Sequence, residues 1–188
     1  INSEFGQLII DDLDDFQLQQ KIDAVEAITG LNPLIDFRSM TVFGEDYNER
    51  DAVAVVEMFG NTGKLEEIAR LAKDYEQGGY AGRTIHSWFE ARPGHQHRQH
   101  CGVVPSEREE QTLLVFCHER QGVTEALDVV DGRSESLGGE AEGVLSRKPG
   151  KGSVLFIAAR DLAEAAARRP DARWLAHTET LVLDAGEH

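Results

Sequence analysis

Apolar positions near the start of the chain first follow a helical period and then form two strand-like blocks. Between Phe16 and Ile28 they recur at the spacing of one helical face, and Gly30 marks the end of the predicted helix. Residues 40–44 and 52–59 are rich in valine and other strand-forming residues, and the connection between them is polar. This part of the chain therefore predicts a helix followed by a β-hairpin.

The same two periods alternate through the remaining residues. An apolar face begins at Leu65 and predicts a helix that ends before Gly78 and Gly79. Further strands are predicted at residues 83–90, 100–104, 112–117, 153–159 and 180–184, with a short helix at 123–130 and another after residue 160.

One unit of this pattern occurs twice. Residues 3–44 and 160–186 both read as a helix, a break and a strand, and the second copy follows the apolar strand at 153–159. The first copy begins at Ile1, where the matching strand is missing, so the sequence looks like a piece of a longer chain. A strand before Ile1 would complete the βαββαβ order of a ferredoxin-like unit.

We therefore predict an α+β protein of two ferredoxin-like lobes with mainly antiparallel sheets and helices on one face. The first lobe is assigned to residues 1–92, without its first strand. The second, incomplete lobe is assigned to residues 93–188, as a β-hairpin and helix followed by a partial βαβ repeat.

Charge narrows the range of partners. The chain carries a formal net charge of −15 at pH 7. A surface this negative repels phosphate backbones, which argues against nucleic acid as a partner. No apolar run reaches the roughly 18 residues of a membrane helix, so no membrane insertion is predicted. A protein partner or self-association is expected instead.

The chain has two cysteines, and the predicted hairpin of residues 100–117 determines which residues lie opposite them. A loop centred near Glu109 places Cys101 opposite Cys117 and His100 opposite His118. Directly opposed residues have Cβ atoms about 4.5–5.5 Å apart, whereas a disulfide needs about 3.8 Å. A Cys101–Cys117 disulfide is thus possible with local adjustment, and two buried free thiols are the alternative.

The histidines suggest a metal site by composition. The candidate ligands are His95, His97, His100 and His118, with His86 as an addition from a third strand. In the predicted hairpin, alternation turns both cysteines to one face and His100 and His118 to the other, which opposes a zinc site that uses all of them. His95 and His97 share a strand face.

The remaining candidate motifs lack the residue spacing that phosphate binding or catalysis requires. Gly60-Asn61-Thr62-Gly63-Lys64 has two residues between its glycines where a phosphate-binding P-loop has four, and Leu65 follows the lysine in place of a hydroxyl residue. No catalytic serine elbow, zinc-protease helix or dinucleotide fingerprint occurs. The sequence predicts no catalytic residue and no cofactor.

Three segments carry a resemblance to a known group of proteins. Residues 41–46, 84–88 and 125–132 read TVFGED, TIHSW and EALDVVDG. They resemble segments of uncharacterised bacterial proteins that are expected to be exported and to contain tandem ferredoxin-like units. The resemblance implies an extracytoplasmic location, a strand before Ile1 and a continuation after His188, and it transfers no activity.

Three functional hypotheses follow. The first is a non-catalytic binding or scaffolding module of a larger bacterial protein, since an antiparallel sheet leaves open edges for protein contact. The second is a metal-binding or metal-sensing protein that uses the five histidines named above. The third is a structural subunit that exchanges strands with other copies of itself.

Overall fold

The computed structural model describes residues 15–32, 35–44, 51–59, 62–92, 95–105, 111–136, 143–151, 153–168 and 177–186. Contacts divide the chain into two units. The larger unit runs from Leu18 to Ser134, and the smaller includes the chain from Glu135 onwards.

The larger unit is built on a six-stranded sheet in which all paired neighbours are antiparallel. The strand order is β1-β2-β6-β5-β4-β3. The strands are β1 (Phe37–Phe43), β2 (Val53–Phe59), β3 (Glu76–Tyr80), β4 (Arg83–Arg92), β5 (His95–Pro105) and β6 (Gln111–Cys117).

Three helices accompany this sheet: α1 (Asp15–Thr29), α2 (Gly63–Arg70) and α3 (Arg120–Val130). Helix α3 buries Val123, Ala126 and Leu127 against one sheet face, where they meet Ile85 and Val115. Burial of these apolar side chains is the main force that holds α3 on the sheet.

The opposite face has its own apolar cluster. Met58, Cys101 and Leu114 lie on that face by strand alternation, and they pack with Leu31 after α1 and Leu65 of α2. The sheet is therefore covered on both faces, and the prediction of helices on one face is wrong. Both faces need cover because β2, β5 and β6 carry apolar residues at consecutive positions.

The α+β class is confirmed, but two ferredoxin-like lobes are not. In a split βαβ unit, the two strands that a helix joins are separated by one other strand. Here α2 joins β2 to β3, and β6, β5 and β4 lie between these two strands in the sheet.

Glycine lets α3 lie close to the sheet. A Cβ atom at Gly122 of α3 would lie 2.7 Å from Cys117 Sγ, and one at Gly102 of β5 would lie 3.0 Å from Val123 Cγ1. Both distances are shorter than normal packing contacts, so a side chain at either position would push the helix away from the sheet.

In the smaller unit, β7 (Ser153–Arg160) pairs antiparallel with β8 (Thr180–Gly186), and α4 (Leu162–Arg168) lies between them in sequence. Both strands lie where the sequence predicts them. The Gly150 amide donates a hydrogen bond to the Asp184 carboxylate at 2.8 Å, which holds the approach to β7 beside β8.

Among the helices that the structure describes, none is both long enough and apolar enough to cross a membrane.

Candidate functional site

The β5–β6 register differs by one residue from the register predicted. His100 lies opposite Cys117, and Cys101 lies opposite Phe116. Because neighbouring residues on a strand point to opposite faces, this shift places Cys101 and Cys117 on opposite sides of the sheet. The predicted register, which set Cys101 opposite Cys117, is wrong, and both cysteines are buried free thiols, the alternative to the possible disulfide.

On the face covered by α3, His100 pairs with a serine. Ser87 Oγ and His100 Nδ1 lie 2.7 Å apart on directly opposed residues of β4 and β5. Ser87 is 2% exposed and His100 is 9% exposed. Burial lowers the pKa of His100, and the nearby Arg98 and Arg120 lower it further, so the neutral imidazole is favoured.

The distance between Ser87 and His100 matches that of a nucleophile and its general base. A nucleophile must touch its substrate, however, and Ser87 has almost no surface in contact with solvent. The pair is better explained as a buried hydrogen bond that satisfies two polar groups within the core.

On the opposite face, His86 occupies a second buried polar cluster. Tyr75 Oη lies 2.8 Å from His86 Nδ1, and Glu66 Oε2 lies 4.0 Å from His86 Nε2. Burial lowers the pKa of His86, although the negative charge of Glu66 acts in the opposite direction. Within the described structure, His86 Nε2 is buried and has no hydrogen-bond partner.

Cys101 lies opposite His86 in the β4–β5 ladder. Burial raises the pKa of the Cys101 thiol to about 12, and the charge of Glu66 adds to this effect. Burial also raises the pKa of Cys117. Since the thiolate is the reactive form of cysteine, neither residue resembles a catalytic or redox-active thiol.

The predicted metal ligands whose side chains the structure describes, His86, His97, His100 and His118, do not meet at one place. His97 and His118 have ring centroids 5.2 Å apart. His100 lies on the other face of β5 from His97, and His86 lies in the buried cluster with Tyr75. His95 occupies the first position of β5, opposite Arg92. No group of three possible metal-ligating side chains occurs within the described residues.

A charged network joins the end of α3 to the β3–β4 hairpin, and sequence reasoning missed it. Asp128 accepts hydrogen bonds from Tyr80 and Arg133, and Asp131 accepts one from Arg83. The bond from Arg133 lowers the pKa of Asp128, and the bond from Arg83 lowers that of Asp131. The Asp-x-x-Asp-Gly-Arg sequence at the helix end is the local signal.

The edge strand β1 exposes apolar side chains. Six of its seven residues are exposed, and only Phe43 is half-buried. Met40 is 58% exposed and Val42 is 57% exposed, and strand alternation places both on one face. The sequence predicted this strand but carried no sign that it would form the edge of the sheet.

No protein-family model matches this chain, and no curated protein matches it.

Proposed function

We propose that this chain is a non-catalytic protein-binding module that adds an extended segment of a partner protein to the free edge of β1. The observation that carries the proposal is an edge strand of seven residues on which apolar side chains are exposed. Edge strands of this kind are templates for pairing with another chain.

The backbone of β1 supports this mode of binding. One side of β1 is paired with β2, and within the described structure no strand pairs with its other side. In an antiparallel ladder, alternate residues direct their N–H and C=O groups away from the existing neighbour. These groups supply the hydrogen bonds for one more strand.

The side chains of β1 supply specificity. Met40 and Val42 offer an apolar surface to alternate residues of an added strand. On the same strand, Arg38 Nε lies 3.7 Å from Glu57 Oε2 of β2, so this cation is paired within the sheet. The other edge strand, β3, has the sequence EQGGY and no aliphatic side chain. Since apolar contact adds affinity to backbone pairing, β1 is the better docking edge.

Charge favours a partner protein over a second copy of this chain as the occupant. Two copies with a net charge of −15 each repel one another, whereas a neutral or basic segment meets no such barrier. The occupant that fits is therefore an extended segment with alternating apolar residues and no excess of acidic ones.

The experiment selects displayed random peptides on the purified untagged chain and measures the affinity of the selected peptides by fluorescence anisotropy. The double variant M40K/V42K places two charges on the apolar surface of β1 and is expected to weaken binding at least about tenfold. Gln77→Lys places one charge on the exposed edge strand β3 and is the matched control, with no change expected.

Backbone pairing has its own test. Methylation of a backbone amide of the peptide removes its ladder hydrogen bond. Two peptides are compared, one methylated at the odd-numbered amides and one at the even-numbered amides, and only the peptide whose methylated amides face β1 is expected to lose binding. Equal affinity of M40K/V42K and Q77K would contradict the proposal. Self-association in sedimentation that M40K/V42K removes would also overturn it, since a second copy would then be the occupant.

A further inference from the structure

Two imidazoles meet at the end of the sheet where β5 begins. His97 lies on β5, and His118 directly follows β6. Their ring centroids are 5.2 Å apart, and the ring planes are inclined by 56°. Both residues are partly exposed.

The spacing of the two rings matches that of two ligands of one tetrahedral ion. A zinc–nitrogen bond of about 2.0–2.1 Å places the centre of a bound imidazole about 3.2 Å from the metal, and two such rings at about 109° have centres about 5.2 Å apart. The same distance also lies within the range of about 4.5 to 7 Å for ordinary aromatic pairs, so it permits a shared ion but does not require one.

The hydrogen bonding of His118 is a second, independent observation. Its Nδ1 atom is buried and has no hydrogen-bond partner in the described part of the chain. A buried polar atom without a partner costs free energy, and a bound ion or water is a common explanation for one. Imidazole nitrogen is a preferred ligand of zinc, copper and nickel.

The other histidines of the larger unit whose side chains the structure describes, His86 and His100, form no equivalent pair. His100 shares its Nδ1 with Ser87 inside the core, and His86 shares its Nδ1 with Tyr75. Both are buried. Among the described histidines, His97 and His118 are the two partly exposed residues whose imidazole rings are in contact.

We propose that His97 and His118 together bind one divalent transition-metal ion of the zinc, copper or nickel class. Two protein ligands leave further coordination positions for water or for an oxygen or nitrogen donor of another molecule. The site does not include β1, so metal binding and peptide binding can be tested independently of each other.

The test titrates the metal-free, untagged chain with Zn²⁺ by isothermal titration calorimetry and with Co²⁺ by visible absorption. We expect one equivalent to bind. His97→Gln and His118→Gln are each expected to lower the affinity at least about tenfold, since the loss of even an outer-sphere partner costs about 10–100-fold. The exposed His177, in the smaller unit, provides the matched control His177→Gln, which should bind as the wild type does.

A second measurement needs no variant. In NMR spectra of the wild-type chain, Co²⁺ should shift or broaden the imidazole resonances of His97 and His118 before those of His86 and His100. The proposal is overturned if binding is absent or not saturable, if only one of the two variants weakens it, or if His177→Gln weakens it equally.

Discussion

At the scale of single residues, the core contains polar side chains that are paired rather than excluded. Ser87 Oγ and His100 Nδ1 form a hydrogen bond on one face of the sheet, and Tyr75 Oη and His86 Nδ1 form one on the opposite face. Loss of one member leaves the other buried without a partner, which costs about 1–3 kcal/mol. These pairs therefore contribute to the stability of the sheet.

The lowered pKa of His100 predicts a loss of stability on acidification. Its folded-state pKa lies below the unfolded value of about 6.5, so the unfolded chain binds the extra proton first as the pH falls. The stabilisation is complete above about pH 6.5 and is lost below it. His86 acts in the same direction.

Urea denaturation at a series of pH values measures this effect. His100→Gln cannot titrate, so its free energy of unfolding should fall less steeply below pH 6.5, by at most about 1.4 kcal/mol per pH unit. The exposed His177→Gln is the control and should keep the slope of the wild type. Parallel slopes for His100→Gln and the wild type would show that His100 titrates equally in both states.

At the scale of elements, the approach of α3 to the sheet depends on glycine. Gly122 lies in the first turn of α3, above Cys117 and Val53. In most helices alanine is more favourable than glycine by about 0.8–1.0 kcal/mol. Here the added methyl group would lie 2.7 Å from Cys117 Sγ. This steric clash destabilises the folded state and opposes the gain in helix propensity.

Gly122→Ala is therefore expected to destabilise the fold by about 1–3 kcal/mol. In a Cys117→Ala background the sulfur is gone, and the same substitution should cost much less. A double-mutant cycle in urea measures this coupling, which should exceed about 0.5 kcal/mol. Additive effects of the two substitutions would mean that contact with Cys117 Sγ is not the source of the cost.

At the scale of the whole molecule, charge opposes compactness. The described ion pairs, such as Arg83–Asp131 and Arg133–Asp128, each join individual charges, whereas the chain as a whole carries a net charge of −15. Self-repulsion of this kind destabilises the compact state, and salt screens it over about 10 Å at 0.1 M.

Added sodium chloride should thus raise the urea midpoint of unfolding, with most of the gain at low ionic strength, where screening changes fastest. Circular dichroism at a series of salt concentrations measures the midpoint, and sucrose serves as a control for effects other than screening. A midpoint that falls with salt would mean that the local ion pairs outweigh the general repulsion.

Some helices and strands lie where the sequence predicts them, and one strand was not predicted. The strands in β2 and β6 and the helix α3 were predicted close to their observed positions, because their apolar periodicity is strong. β3 was missed, since its sequence EQGGY lacks strand-forming character apart from its tyrosine. Its pairing with β4 overrides that weak local preference.

The sequence alone determined the α+β class, most of the strands and the acidic charge, because periodicity and composition are local properties of the chain. Tertiary structure decided which residues meet. A shift of one residue between β5 and β6 separated Cys101 from Cys117 and put Cys117 beside His100. A register depends on the packing of both faces, and no single strand encodes it.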